Sequence, residues 1–208
     1  MGAFSGAARG LAAVIAVVAW TGLAAQFDAS LARTDSAGTA AWVMLRYFTV
    51  IANLLLAVTF TGVALRRPEF AAPSLLGGVT QAILLVGVVY GLLLRDLVEL
   101  SGGAKVADVL LHHVTPVLGP LFWLAYVPKG GLRRRDPWIW AIFPLGYFVY
   151  ALARGGLEGV YAYPFMDVGR LGWARTGLNA ALIALGFILV GHVTLWIDGR
   201  LAARPEPA

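Results

Sequence analysis

The chain contains no cysteine and has few charged side chains. Without a thiol among its 208 residues, disulfide bonds and thiolate chemistry are excluded. Charged residues make up 13% of the sequence, about half of the roughly 25% that soluble domains carry. The composition therefore excludes an ordinary soluble domain.

Long apolar stretches take the place of the missing charge. Hydrophobic residues make up 60% of the chain, and the mean hydropathy is +0.79. A transmembrane helix needs about 20 mostly apolar residues, and six stretches reach helix-spanning length. We predict an all-α, polytopic membrane protein that forms a single domain with six transmembrane helices. The predicted helices lie near residues 10–27, 39–65, 74–94, 106–127, 137–153 and 175–197.

The first stretch has two interpretations. Arg9 precedes an apolar run and small residues follow it, as in a cleaved signal peptide. The run continues to Phe27, however, and no clear cleavage site stands out. We therefore expect a retained transmembrane helix.

Basic residues divide unevenly between alternate loops. In a soluble protein the net charge of +5 would suggest nucleic acid, but these side chains flank membrane helices. We therefore expect lipid headgroups as their partners and no nucleic acid. The positive-inside rule places both termini in the cytoplasm. The predicted cytoplasmic set is Arg9, Arg66, Arg67, Lys129, Arg133, Arg134, Arg135, Arg200 and Arg204, and the opposite set is Arg33, Arg95, Lys105, Arg154, Arg170 and Arg175.

Polar residues inside the second stretch form a first candidate group. Arg46, Thr49 and Asn53 are spaced i, i+3, i+7 and would share one face of a continuous helix. The Thr49 hydroxyl could act as a nucleophile on an ester carbonyl. The Arg46 guanidinium or the Asn53 amide could then stabilise the oxyanion that forms on the substrate. In the structural alternative, Thr49 bonds back to the carbonyl of Leu45 and Asn53 merely joins two helices.

A carboxylate and an imidazole form the second candidate group. Asp108 and His112 are spaced i, i+4, so the carboxylate can hold one imidazole nitrogen and leave the other as a general base. Pro116 has no N–H, and we expect it to free the carbonyl of His112 and bend the helix. In the structural alternative, the histidine simply bonds to a neighbouring helix.

The two groups are expected to meet. Thr49, about 15 Å from the outer end of its stretch, and His112 would lie at similar depths on parallel helices. We predict that they approach to about 3–4 Å. Residues near the outer helix ends are the predicted substrate-binding set: Tyr90, Arg95, Arg154, Tyr163 and Asp167.

Metal and haem sites lack enough ligands. The adjacent His112 and His113 diverge by about 100° on a helix. Asp108 and His112 provide two ligands, fewer than zinc normally needs. His192 lies far in depth from the other histidines. We predict no metal and no other cofactor.

Three segments together resemble a known family, the androgen-induced membrane proteins. Its animal members are transmembrane threonine hydrolases of fatty acid esters of hydroxy fatty acids, and the chain is most similar to the bacterial branch. The similarity extends from the second to the sixth stretch. The segments are Arg46-Tyr47-Phe48-Thr49 with Asn53, then Asp108-Val109-Leu110-Leu111-His112-His113, then Tyr163-Pro164-Phe165-Met166-Asp167.

The resemblance implies a six-helix intramembrane lipid ester hydrolase in the bacterial inner (plasma) membrane. It places the catalytic threonine on Thr49 and the histidine on the Leu-His-His segment. We choose His112 over His113 because Asp108 lies one turn before it, while Pro116 departs from the family pattern. Membrane lipid and a fatty acyl ester are the expected partners.

Two other functions remain open from the sequence. A transporter or receptor for a small amphiphile would use Arg46 or Arg154 to bind a carboxylate. A non-catalytic scaffold would use its polar residues only to join helices.

Overall fold

The computed structural model describes residues 4–95, 97 and 100–202, and all regular structure in these ranges is helical. Arg204, counted above among the cytoplasmic basic residues, lies outside them. The α-helices of these ranges are α1 (Gly6–Leu31), α2 (Ala37–Met44), α3 (Phe48–Ala64), α4 (Pro73–Val89), α5 (Gly102–Val109), α6 (Thr115–Tyr126), α7 (Asp136–Glu158) and α8 (Val168–Leu201). Two π-helical turns, Tyr90–Leu94 and Leu110–Val114, extend α4 and join α5 to α6.

Several of these helices have the length and apolarity that a bilayer requires. Among the described residues, four qualify: α1, α4 with its π-helical turn, the continuous segment Gly102–Tyr126, and α8. A fifth qualifies if the bent pair of α2 and α3 is taken as one span. The chain is therefore an all-α protein with the character of an integral membrane protein.

The second apolar stretch is not the single helix expected over 39–65. It breaks between α2 and α3, whose axes differ by 96°. Tyr147 and Tyr150 of α7 donate hydrogen bonds to the carbonyls of Arg46 and Leu45, at 2.8 and 3.2 Å. These donors satisfy backbone groups freed by the break, which is what allows a helix to bend inside a membrane protein.

Small side chains on one face of α1 pack it against α3, α5 and α6. Small residues allow helix backbones to approach closely where lipid offers no hydrophobic drive for association. The buried small residues of α1 recur about one turn apart and are Ala8, Ala12, Ala16, Ala19 and Gly22.

The loop between α6 and α7 is fastened at one end of the bundle. The Lys129 ammonium donates to the carbonyls of Trp123 and Val127, at 2.7 and 2.6 Å, and so satisfies the end of α6. The N–H of Leu132 donates to Asp198 of α8 at 3.0 Å. These bonds hold the Arg133–Arg135 loop beside the end of α8.

A glycine-to-alanine pair tests the packing of α1. A Cβ at Gly22 would lie 2.6 Å from the buried Leu111 side chain, whereas one at Gly10 would meet nothing within 4 Å. Alanine normally stabilises a helix relative to glycine by about 1 kcal/mol. We expect Gly10→Ala to maintain or raise the melting temperature and Gly22→Ala to lower it. Equal shifts in detergent melts would contradict this packing.

Candidate active site

Thr49, His112 and Asp108 form a continuous row of contacts. The Thr49 hydroxyl lies 3.2 Å from Nε2 of His112, which confirms the predicted approach of these side chains. Nδ1 of His112 lies 2.9 Å from Asp108 Oδ1. The N–H direction at Nδ1 is poorly aligned with that oxygen, so the contact is a close charge–dipole pair rather than a directed hydrogen bond.

Tyr90 holds both members of the carboxylate–imidazole pair. Its hydroxyl donates to Asp108 Oδ2 at 2.8 Å, and its ring stacks on His112 with centroids 4.1 Å apart. The exposed His113 meets the edge of the Tyr90 ring at 5.3 Å. The structure therefore distinguishes the two histidines, because His112 contacts Thr49 and the exposed His113 does not line the polar cavity.

A π-helical turn, rather than a simple bend, accommodates Pro116. In a π-helix the N–H of residue i+5 bonds to the carbonyl of residue i, so Pro116 leaves the carbonyl of Leu111 without a backbone partner. Our expectation from α-helical spacing named the His112 carbonyl, and the π-helical spacing adds the Leu111 carbonyl. Asn53 donates to the Leu111 carbonyl at 3.2 Å, and the single hydroxyl hydrogen of Thr115 is shared between this carbonyl, also at 3.2 Å, and Asn53.

Asn53 is committed to the structure of the site. Its side chain is fully buried, and its amide nitrogen also donates to the Thr49 carbonyl at 2.9 Å. Its amide oxygen accepts from Thr115 at 2.7 Å. Because both amide hydrogens are engaged, Asn53 has none left for an oxyanion, and the expectation of that role was wrong. Asn53 instead fixes α3 against the π-helical turn.

Arg46 and Arg154 belong to a separate charged network. Both donate to Glu158 at 2.7 Å, and Trp42 donates to the same carboxylate at 2.8 Å. The Arg154 guanidinium stacks 3.9 Å from the Trp42 ring centroid. Neither arginine lines the cavities described below. The expected sharing of one helix face by Arg46 and Thr49 fails because Arg46 lies in the break before α3.

Glu158 had not been singled out from the sequence. It follows Arg154 by four residues, a spacing that brings side chains together on a helix, and this signal was available. Its carboxylate accepts hydrogen bonds from Arg154, Arg46 and Trp42, so one negative charge serves three donors.

Two cavities meet at Thr49. The first, here called the polar cavity, has a volume of about 790 Å³ and lies between α1, α3, α5 and the loop before α8. The second, the apolar cavity, has a volume of about 80 Å³ and lies between α3, α4, α7 and α8. Thr49, Leu94 and Tyr163 line both. The predicted site residues in the polar cavity are Thr49, Tyr90, Arg95, Asp108, His112 and Tyr163.

Asp167 has a structural position instead. Its carboxylate accepts the N–H of Arg170 at 3.1 Å and so caps the start of α8. Asp167 lines neither cavity. Such capping is the ordinary use of aspartate before a helix, so the structure gives Asp167 a capping role outside both cavities.

Thr49 lies at the amino end of α3. It is the second residue of that helix, so it lies about 3 Å along the axis and not 15 Å inside a longer helix as expected. The first N–H groups of a helix have no partner within it and carry partial positive charge. The Tyr163 phenol faces this end: burial raises its pKa, and hydrogen bonding with Thr49 and the Phe48 backbone opposes the rise.

No family model, no curated protein and no solved structure matches this chain. The resemblance drawn from the sequence therefore depends on its motifs alone. Among the described residues, no group of three or more His, Asp or Glu side chains is arranged to hold a metal ion.

A double-mutant cycle tests the bonds to the Leu111 carbonyl. Asn53→Leu and Thr115→Val each remove a donor, and a buried polar group left without a partner costs about 1–3 kcal/mol. Because the two side chains also bond to each other, the double mutant should lose at least about 0.5 kcal/mol less than the sum. Chemical unfolding in detergent measures the three free energies. Strict additivity would contradict the shared network.

Proposed function

We propose that this chain is an intramembrane lipid ester hydrolase in which Thr49 is the nucleophile and His112 the general base. One observation carries the proposal: the Thr49 hydroxyl contacts an imidazole nitrogen whose other side faces Asp108, at the junction of two cavities. A hydroxyl nucleophile, a base and a group that orients the base form the general arrangement of covalent hydrolases.

The first half-reaction forms an acyl-threonine ester. Thr49 Oγ1 attacks the ester carbonyl carbon, and its proton passes to Nε2 of His112. The bond from the carbonyl carbon to the alcohol oxygen then breaks, and His112 returns the proton to the departing alcohol. Nδ1 carries the second hydrogen throughout, facing Asp108 at 2.9 Å, and the carboxylate stabilises the imidazolium that forms.

The oxyanion needs donors that are free in the site. Asn53 has none, and Arg46 is held at Glu158. We assign this role to the first N–H groups of α3, which have no partner within the helix and which the substrate oxygen would take over from the Tyr163 hydroxyl, and to that hydroxyl itself, which lines both cavities. The positive end of the α3 dipole adds to their effect.

The second half-reaction consumes one water molecule. His112 takes a proton from water as the oxygen attacks the acyl carbon. The bond from that carbon to Thr49 Oγ1 breaks, and the proton passes from His112 to Oγ1. The products are a carboxylic acid and the alcohol, and the threonine is restored.

The substrate we propose is a fatty acyl ester, such as a fatty acid ester of a hydroxy fatty acid. The sequence resemblance supports this choice, and so does the apolar cavity beside Thr49. Such a substrate is supplied by the membrane, and we place the protein in a bacterial inner (plasma) membrane.

For the membrane arrangement we propose six spans with both termini in the cytoplasm. The sixth span would be α7, which has 23 residues but includes Trp, Tyr and Pro. In support, Gly131 packs against Pro73 and Gly130 against Ala202, so the loops after α3 and α6 and the end of α8 lie together. These segments carry most of the predicted cytoplasmic arginines.

The alternative of a transporter or receptor has one supporting observation. The polar cavity is large and has Arg95 in its wall. The arginines first expected to bind a carboxylate, Arg46 and Arg154, are instead engaged by Glu158. This alternative predicts fatty acid binding without turnover of any ester.

Substitutions of Thr49, His112 and Tyr163 test the proposed hydrolase mechanism. Thr49→Ala and His112→Ala should each lower kcat for long-chain nitrophenyl esters at least about a thousandfold, and the double mutant should be no worse, because the residues act as a unit. Tyr163→Phe should cost about 10²–10³-fold in kcat. His113→Ala is the matched control and should retain activity. Melts in the same detergent establish folding, and activity that survives in Thr49→Ala would refute the mechanism.

Reporter fusions test the orientation. A fusion after Arg135 should report the cytoplasm and one after Asp167 the opposite side, because basic loops remain cytoplasmic. Alkaline phosphatase and green fluorescent protein, placed at both positions, give complementary signals. The same side for both fusions would contradict the six-span arrangement.

A further inference from the structure

The two cavities at Thr49 differ sharply in chemistry. Among the residues that line the apolar cavity, those with hydroxyl side chains are Thr49, Tyr147 and Tyr163. The polar cavity is lined by several hydrogen-bonding and charged side chains in addition to Thr49, His112 and Asp108. These are Gln26, Ser30, Arg33, Thr34 and Arg95.

The apolar cavity extends from Thr49 along α8 toward Phe187. Along α8 its wall extends from Ala180 to Phe187, a rise of about 10 Å. Ala141 and Phe187 line it and are each only 4% exposed, and they pack with Trp140 in a cluster of their own. This wall suits a short aliphatic chain, and a charged or hydroxylated group would lose its hydration there.

We propose that the acyl chain of the ester occupies the apolar cavity, with its carbonyl carbon at Thr49 and its methyl end toward Ala141 and Phe187. The alcohol part then lies in the polar cavity. This inference rests on the proposed hydrolase function and adds the orientation of the substrate. It makes Ala184, in the middle of the α8 wall, a residue that determines acyl-chain length.

Photocrosslinking tests the occupant without requiring turnover. Octanoic acid with a terminal diazirine, whose chain is about as long as the α8 wall of the cavity, is irradiated with wild-type and Thr49→Ala protein in detergent, and labelled residues are mapped by mass spectrometry. We expect labels within 141–148 and 180–187 that unlabelled octanoic acid displaces. Displaceable labels on α1 or α5, beside the polar cavity, would overturn the proposal, as would labels at lipid-facing positions alone.

Matched variants on α8 test chain length. Ala184 is half-buried in the cavity wall, whereas Ala181 is exposed three residues earlier and lines neither cavity. One methylene in an apolar pocket changes kcat/KM by about 10-fold or more. Ala184→Leu should therefore lower kcat/KM for nitrophenyl octanoate at least about 10-fold and spare nitrophenyl butanoate. Ala181→Leu should change neither, and Ala184→Leu should also reduce crosslinking.

A second ester series separates orientation from activity. Butanoate esters of alcohols of increasing length vary only the alcohol part, and Ala184→Leu should leave their profile unchanged. A shift in this series, or in neither series, would overturn the proposed orientation. An enzymatically inactive wild type would refute the hydrolase, and the crosslinking pattern would still decide what the apolar cavity holds.

Discussion

The carbonyl of Leu111 is the constraint on which the site depends. Proline at position 116 removes its backbone partner, and lipid supplies none. Asn53 donates to this carbonyl and to that of Thr49, and so connects the π-helical turn directly to the first turns of α3. The same bonds that satisfy the backbone therefore bring His112 to the Thr49 hydroxyl. One set of hydrogen bonds therefore both satisfies the carbonyl freed by the irregular helix and positions the side chains of the site.

A second network maintains the break before α3 and is distinct from the site. Arg46 and Arg154 share Glu158, and tyrosines of α7 satisfy the carbonyls exposed at the break. Because α2 and α3 meet at a bend of 96°, Thr49 lies in the first turn of a helix and not in the middle of a longer one. The first N–H groups of α3 therefore have no partner within the helix and face the Tyr163 hydroxyl instead. The charged cluster thus supports the site from a distance by fixing backbone direction.

The sequence predicted what depends on local spacing and missed what depends on backbone register. Asp108 and His112 could be paired from their i, i+4 spacing, and the membrane character followed from hydropathy. The break at Arg46 could not be placed, because no proline or glycine lies between Met44 and Phe48. The turn at Leu110–Val114 was also missed, since one extra residue per turn changes which carbonyl a proline frees. Asn53 and Asp167 have structural roles instead of the predicted ones, because their side chains bond to backbone groups. The sequence does not show where those backbone groups lie.

The shortness of α3 has a consequence for water. Its 17 residues rise only about 25 Å, less than the roughly 30 Å of a hydrocarbon core. A helix shorter than the bilayer is accommodated by local thinning of the membrane. If the carboxyl end of α3 is held at one headgroup layer, the thinned opposite leaflet brings headgroups and hydration down to Thr49. Hydrophobic mismatch would then bring water to Thr49, as the proposed hydrolysis requires, and bilayer thickness would set how much water reaches it.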